Sequence, residues 1–319
     1  MLKIKKFQPK YIKEWNNFVD FSNNGTLFHS QTFISYHIER KFIDCSLMVY
    51  YNNKLVALFP ASIKNKNSIF SHPGASFGGF VLKNKLGFSM LNDIICLVNN
   101  YFKSKKFKSI FVVNTPKIYY KRPHDSIDYL LQWNGYNQKE LYISHAVDLN
   151  INKVDVLLNK RKQRYINNLK HDVKFITSFN FKAFYSLLIE SKKRYHSVPT
   201  HSLSELIKLN TLFPDKIKLF ISKDGDELVG GSLLFFINKK TYLIFYNVVS
   251  ENYRKTQLST FQFFNCIKFA KKEGASVIDF GVSHLPEMDN PLAPKFSLIK
   301  FKEQFGAFGV IRTGYEKEL

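Results

Sequence analysis

Lys302 lies between two phenylalanines, just ahead of a glycine, in the run Phe301-Lys302-Glu303-Gln304-Phe305-Gly306. A cation held among aromatic rings is positioned and partly desolvated. That suits a group that must meet developing negative charge. The plainer alternative is a lysine lying along a half-buried helix with its head in water. Upstream, the apolar segment 275–280 runs into Asp279-Phe280-Gly281. A carboxylate at that place can orient a histidine or receive a substrate amine, or it can simply cap the turn at Gly281. The proline-broken loop 286–294 separates the two motifs, with His284 and Glu287 as further candidates beside it.

Histidines are the natural proton carriers near neutral pH. His196 follows Arg194-Tyr195, and His201 closes the stretch Val198-Pro199-Thr200. His196 is the candidate base, with Tyr195, Thr200 and His201 as substrate contacts. The competing reading is a capped helix start, since Thr200 or Ser202 can cap the next helix. His29 and His72 adjoin glycine-bearing turns, the second opening His72-Pro73-Gly74 through Gly78-Gly79. They are candidate substrate contacts, although a tight strand connection explains such a loop equally well. Arg161 and Arg164 lie one turn apart on a basic segment and can share an anionic group.

The chain has 319 residues, 45% hydrophobic and 16% aromatic. That length exceeds one ordinary domain and predicts two. A net charge of +22 raises the question of nucleic acid or an anionic membrane. The abundance of Lys, Asn, Ile, Phe and Tyr with scarce Ala, Gly and Arg points instead to an AT-biased coding sequence, and the charge is spread over the whole length. Such a field still steers an anionic, nucleotide-linked substrate. Cys45, Cys96 and Cys266 are far apart and odd in number, which predicts core thiols in a reducing, cytoplasmic setting. No signal peptide, membrane span or zinc spacing is present, so no metal is expected.

These residues need elements to position them. Helices are predicted at 10–21, 32–39, 87–104, 181–195, 202–211 and 258–273, and a basic helix opens near 158. Strands are predicted at 47–51, 54–63, 109–114, 142–149, 217–222, 228–237, 241–249 and 277–280. Asn52-Asn53 marks a hairpin, and Gly274 stops the long helix. Helix, helix, hairpin, strand, helix and strand occur twice in order. The domain boundary is placed at 149, giving domains 1–149 and 150–319.

Element order and motifs together resemble the FemAB-like (BioF2-like, CelD-like) branch of the GNAT acyltransferase superfamily. The residues that carry the likeness are Lys160-Arg161-Lys162-Gln163-Arg164-Tyr165, Arg194-Tyr195-His196, Pro199-Thr200-His201, Leu228-Val229-Gly230-Gly231, Asp279-Phe280-Gly281 and Phe301 to Gly306. The resemblance implies an α+β fold of two tandem GNAT-like domains, each a mixed, mostly antiparallel sheet flanked by helices. It implies transfer of an acyl or aminoacyl group to an amine. Lys302, beside Phe301, would steady the oxyanion or the donor's phosphate. Tyr246, Val248 and Val249 fall on the strand that splays in GNAT enzymes and offers a backbone N–H to the donor carbonyl. In relatives that use CoA the next loop reads R/Q-x-x-G-x-G/A and cradles pyrophosphate. Here it reads Arg254-Lys255-Thr256-Gln257-Leu258-Ser259, with Gln257 and Ser259 at the two small positions. Side chains there crowd the approach of a phosphate.

The main expectation is an acyl-CoA-dependent N-acyltransferase acting on an amino sugar of a surface-glycan precursor. One alternative is an aminoacyl-tRNA-dependent transferase acting on a peptidoglycan precursor. Its tRNA-using relatives commonly carry a long helical hairpin, for which the interval 174–217 has no room. Another is a non-catalytic relative that binds glycan or membrane.

Overall fold

The computed structural model describes residues 1–194, 196–284 and 292–319, with the backbone alone at 170 and 171. The chain divides into two units, Met1–Ile143 with Val310–Leu319, and Ser144–Gly309. Tyr195, Glu287 and most of the proline-broken loop lie outside the described residues.

The first unit contains β1 (Leu2–Lys6), α1 (Ile12–Phe21), α2 (Gln31–Ile34), β2 (Ile43–Asp44), β3 (Leu47–Tyr51), β4 (Lys54–Phe59), β5 (Ser62–Asn65), β6 (Ser68–Ser71), β7 (Val81–Leu82), α3 (Phe88–Ser104), β8 (Ser109–Val113) and α4 (Ser126–Trp133). Strands β1, β3, β4 and β7 form an antiparallel sheet in that order. Helix α3 buries Leu91, Ile94, Ile95, Val98 and Phe102, spaced as one helical face, against residues of β3, β4 and β8.

Strand β9 (Asn137–Asp148) crosses into the second unit. There follow α5 (Lys160–Asp172), β10 (Val173–Ser178), α6 (Phe181–Lys193), α7 (Leu203–Leu212), β11 (Ile217–Asp224), β12 (Glu227–Asn238), β13 (Thr241–Val249), α8 (Leu258–Lys272), β14 (Val277–Val282) and α9 (Phe296–Glu303). The sheet order is β10-β11-β12-β13-β14-β9, antiparallel except for β13 with β14. The last strand, β15 (Phe308–Glu318), pairs with β8 from Gly314↔Val113 to Glu318↔Ser109. The final ten residues therefore belong to the first unit, whereas the sequence places them in the second.

The expected helix over 32–39 is only the four residues of α2, because His37 is tied to Gly74 O (2.8 Å) and the chain turns away after Ser35. Among the described residues, no helix is long and apolar enough to cross a membrane, and no group of side chains is arranged to hold a metal.

Candidate functional site

Strands β13 and β14 pair at only three positions, Thr241↔Val277, Tyr242↔Ile278 and Leu243↔Asp279. Beyond Leu243, β13 runs on to Val249 without pairing to β14. Strand β14 is diverted at that point by a bulge. Its register against β9 passes from Asp279↔Ala146 to Val282↔Ser144. Gly281 takes φ +73, and the Asp279 carboxylate accepts its N–H at 2.7 Å. An aspartate closing a turn onto the residue two ahead, with glycine in the left-handed region, is what this tripeptide encodes locally. Phe280 points into the core, against Phe263 (4.8 Å between centroids) and Phe305 (5.7 Å).

The bulge turns two carbonyls toward Lys302. Its ammonium donates to Gly281 O (2.7 Å), Val282 O (2.8 Å) and Ser283 Oγ (2.9 Å). An ammonium has three protons, and all three are placed. Lys302 is only 2% exposed, on α9, while Phe301 packs against Phe263 and Phe305. The flanking rings thus anchor α9 in the core, and oxygens hold the cation. Phe301 contributes packing where a substrate contact was expected. Lys302 does not reach a substrate oxygen with a spare proton; its charge acts through Ser283.

Ser283 Oγ also lies 2.9 Å from His145 Nδ1. Lys302 can only donate, so Ser283 accepts from it, and the hydroxyl proton is left for His145 Nδ1. On that pattern the imidazole is neutral and carries its proton on Nε2. Burial and the nearby Lys302 charge lower the His145 pKa, opposed by Glu303 and Asp279. Nε2 makes no hydrogen bond to any described residue. The chain Lys302→Ser283→His145 therefore ends in an N–H donor backed by a buried positive charge. Asp279 and Lys302, both candidates in the sequence, meet at the same glycine, Asp279 at its N–H and Lys302 at its carbonyl; His145 and Ser283 were missed. The available signal was a polar pair, Ser144-His145, buried within the apolar end of β9.

His196, the expected base, is exposed, has left-handed backbone (φ +49), and makes no side-chain hydrogen bond among the described residues. Thr200 and His201 do meet Tyr246 of β13. The Tyr246 hydroxyl accepts the Thr200 N–H (3.0 Å) and bonds His201 Nδ1 (3.0 Å). His201 is 3% exposed against Phe245, so this loop is fastened to the splayed strand through Tyr246. Burial raises the Tyr246 pKa, which keeps the phenol protonated. Ser202 caps α7 with Glu205 in a reciprocal box, so Thr200 is free of that duty. Arg194 donates to Glu251 and to Val249 O (3.1 Å), bracing the end of β13.

At the start of α8, Gln257 takes φ +67, a left-handed conformation that glycine adopts most readily. Its Oε1 accepts from Lys162 Nζ (2.5 Å) and Thr260 Oγ1 (3.2 Å). Arg254 is paired with Glu251 (3.1 Å), and Thr256 Oγ1 bonds Tyr253 O (2.7 Å); Lys255 is exposed. The helix start keeps unpaired N–H groups that suit an anion. Lys162, a cation that reaches this start, is nevertheless held by a side-chain carbonyl, so the loop fits a pyrophosphate poorly. Lys162 is the residue of α5 that reaches this loop. Arg161 turns to Tyr165 (3.1 Å), and Arg164 is exposed. Val248 O is taken by Gln262 Nε2 (3.2 Å).

In the first unit His29 is fully buried, with Nδ1 bonded to Thr26 N–H (3.0 Å) and Nε2 to Gly78 O (3.0 Å). Both ring nitrogens are engaged, so His29 is a structural residue where a substrate contact was expected. Burial pushes its pKa down to about 4. His72 is 1% exposed and pushed down to about 3 by burial.

Residues 178–287 match the family model described as an acetyltransferase (GNAT) domain. The structure of FemX superposes with a TM-score of 0.74 at 14% identity, over 99% of this chain and 97% of FemX. That of L-PGS from Bacillus licheniformis gives 0.60 at 12%, over 97% and 91%. A tandem GNAT protein from the clavulanic acid biosynthesis pathway, without AcCoA, gives 0.58 at 8%, over 100% and 98%. No curated protein matches the sequence. At these identities the structural likeness is one of fold. The architecture is mixed α+β in tandem GNAT-like form, and the domain match together with that fold supports catalytic acyl transfer.

Proposed function

We propose that the second unit forms an amide by transferring an aminoacyl group from its ester on tRNA to an amine of a peptidoglycan precursor. The amine nitrogen attacks the ester carbonyl carbon, the C–O bond to the ribose breaks, and the amine's proton leaves with the ribose hydroxyl. His145 Nε2–H donates to the carbonyl oxygen as it becomes an oxyanion, with Lys302 behind it through Ser283. The observation that carries the transfer chemistry is this relay at the splay of β13 and β14. Preorganised donors of that kind are worth roughly 10²- to 10³-fold in rate.

Gln257 favours the tRNA-linked donor over acyl-CoA, because its side chain fills the loop that would cradle pyrophosphate. The helical hairpin expected of tRNA users is absent among the described residues, where α6 and α7 are ordinary helices. That counts little against the reading, since this chain without one still covers 97% of FemX. The second reading, acyl-CoA with an amino sugar acceptor, rests on the open N–H groups of α8 and on Lys255. Calorimetric titration with acetyl-CoA at two salt concentrations, beside a gel-shift assay with aminoacylated tRNA, separates the two. The tRNA should bind, and acetyl-CoA should not saturate. One-to-one acetyl-CoA binding that survives moderate salt would overturn the tRNA donor.

Gln257→Gly relieves a left-handed strain of about 1 kcal/mol and releases Lys162. Acetyl-CoA binding should tighten by about tenfold or more, which needs about 1.4 kcal/mol, with little change in melting temperature. Unchanged binding in the same calorimeter would remove Gln257 as the barrier.

His145→Phe should lower turnover by about 10²-fold or more, while His145→Gln, which can present a donor near the same place, should recover part of it. Because the His145 pKa is lowered, the wild-type rate should hold as pH falls through 6.5 and decline only below it. Protonation of Nδ1 then ends its acceptance from Ser283. A decline centred above pH 6.5 in the rate profile would contradict this assignment.

A further inference from the structure

The first unit holds a cavity of about 540 Å³ that the transfer chemistry does not use. His72 lines it. Gly74 N–H donates to His72 Nδ1 at 3.1 Å, so the neutral ring carries its proton on Nε2. That Nε2 is buried and hydrogen-bonds to no described residue. Gln31 lines the same cavity at 5% exposure, and its amide helps hold the Asp44 carboxylate down. A buried donor in the state of His72 Nε2 is costly and marks a place where an acceptor belongs.

The charges around the cavity have one dominant sign. Lys6, Arg40 and Lys41 line it, against one carboxylate, Asp44. Asp44 is already occupied, accepting the Ser46 N–H (3.0 Å) and hydroxyl (2.9 Å). Phe42 supplies an apolar wall and meets the His72 ring edge-on at 5.1 Å. The volume lies within the range of small-molecule clefts and exceeds the needs of an inorganic ion.

We propose that this cavity binds a small molecule carrying a phosphate or carboxylate on an apolar body, with an anionic oxygen accepting from His72 Nε2–H and the charge met by Arg40, Lys6 and Lys41. The site stands on the first unit alone and does not depend on what the second unit transfers.

Calorimetric titration of the full chain with phenyl phosphate, phenylacetate, inorganic phosphate and benzyl alcohol tests it. Phenyl phosphate or phenylacetate should bind saturably, and whichever is tighter identifies the anion. Inorganic phosphate should bind more weakly, and benzyl alcohol not at all. His72→Asn keeps an acceptor for Gly74 N–H but loses the reach of Nε2, and should weaken binding by about tenfold or more. His72→Gln keeps that reach and should stay within about threefold of wild type. Arg40→Gln should weaken binding and flatten its salt dependence. If His72→Asn fails to fold, the ¹⁵N signal of His72 Nε2 in the wild-type protein should move on adding the tighter anion. The proposal is overturned by no anion binding, by equal binding of benzyl alcohol, by affinity indifferent to His72→Asn and Arg40→Gln, or by an unmoved His72 signal.

Discussion

Lys302→Met should lower turnover by about 10²-fold or more and also destabilise the second unit by about 2–4 kcal/mol. The two losses share one cause. The methionine keeps the apolar stem but leaves Gly281 O, Val282 O and Ser283 Oγ without their donor. Unpaired buried oxygens cost roughly 1–3 kcal/mol apiece, and removal of a desolvated charge returns part of that. Lys302→Arg should rescue neither property. A planar guanidinium cannot send three protons to two successive carbonyls and a hydroxyl from the volume of an ammonium. A third readout needs no substrate. Lys302 helps hold the His145 pKa down, while Glu303 and Asp279 push it up. Burial, the larger lowering cause, remains without Lys302, but one of the two lowering causes is gone, so the His145 titration, followed by ¹⁵N NMR, should move to higher pH. A stable Lys302→Met protein with unchanged His145 titration and full turnover would remove the relay altogether.

The parts of this site written in neighbouring residues were legible in the sequence. Asp279-Phe280-Gly281 specifies its own bulge, because a carboxylate two residues before an N–H and a glycine free to take positive φ are local facts. Lys302 stood out because a lysine among phenylalanines conflicts with burial. Its partners were not legible. Ser283 follows the bulge on the far side of the motif, and His145 lies 138 residues from it in sequence. They meet only because β9 pairs with β14 in one register. His196 drew notice through its motif, yet the loop is fastened by His201 and Tyr246, a pairing set by tertiary packing of α6 on β13. Helices α4 and α9, eight residues each, are short for a periodic signal to rise above their surroundings. The Gln257 position was legible as a departure from the small residue that the resemblance leads one to expect; that it takes a left-handed backbone and turns its oxygen to Lys162 was not.

Acidification should unfold the first unit well before carboxylate titration alone would account for it. His29 and His72 are held neutral by burial, with pKa values pushed from 6.5 to about 4 and about 3. Between those values and 6.5 the unfolded chain binds a proton at each site and the native unit does not. Stability therefore rises with pH in this window; it is fully present above 6.5 and is lost as pH falls below it. Each histidine contributes up to about 1.4 kcal/mol per pH unit, half of that at pH 6.5 itself, so the pair should remove about 3 kcal/mol between pH 6.5 and 5. Asp44, whose pKa burial raises, runs in the opposite sense and offsets part of the loss only near the carboxylate range. Both tryptophans, Trp15 and Trp133, belong to this unit, so their fluorescence in urea follows its unfolding without interference from the other. The urea midpoint should fall steeply from pH 6.5 to 5 at constant slope of the transition. In a double variant, His29→Gln with His72→Gln, the plateau above pH 7 should be lower and the acid dependence much flatter, because no proton is left to take up at either place. A midpoint equally steep in pH for wild type and double variant would mean that other groups drive the acid transition and that these two buried histidines are not its cause.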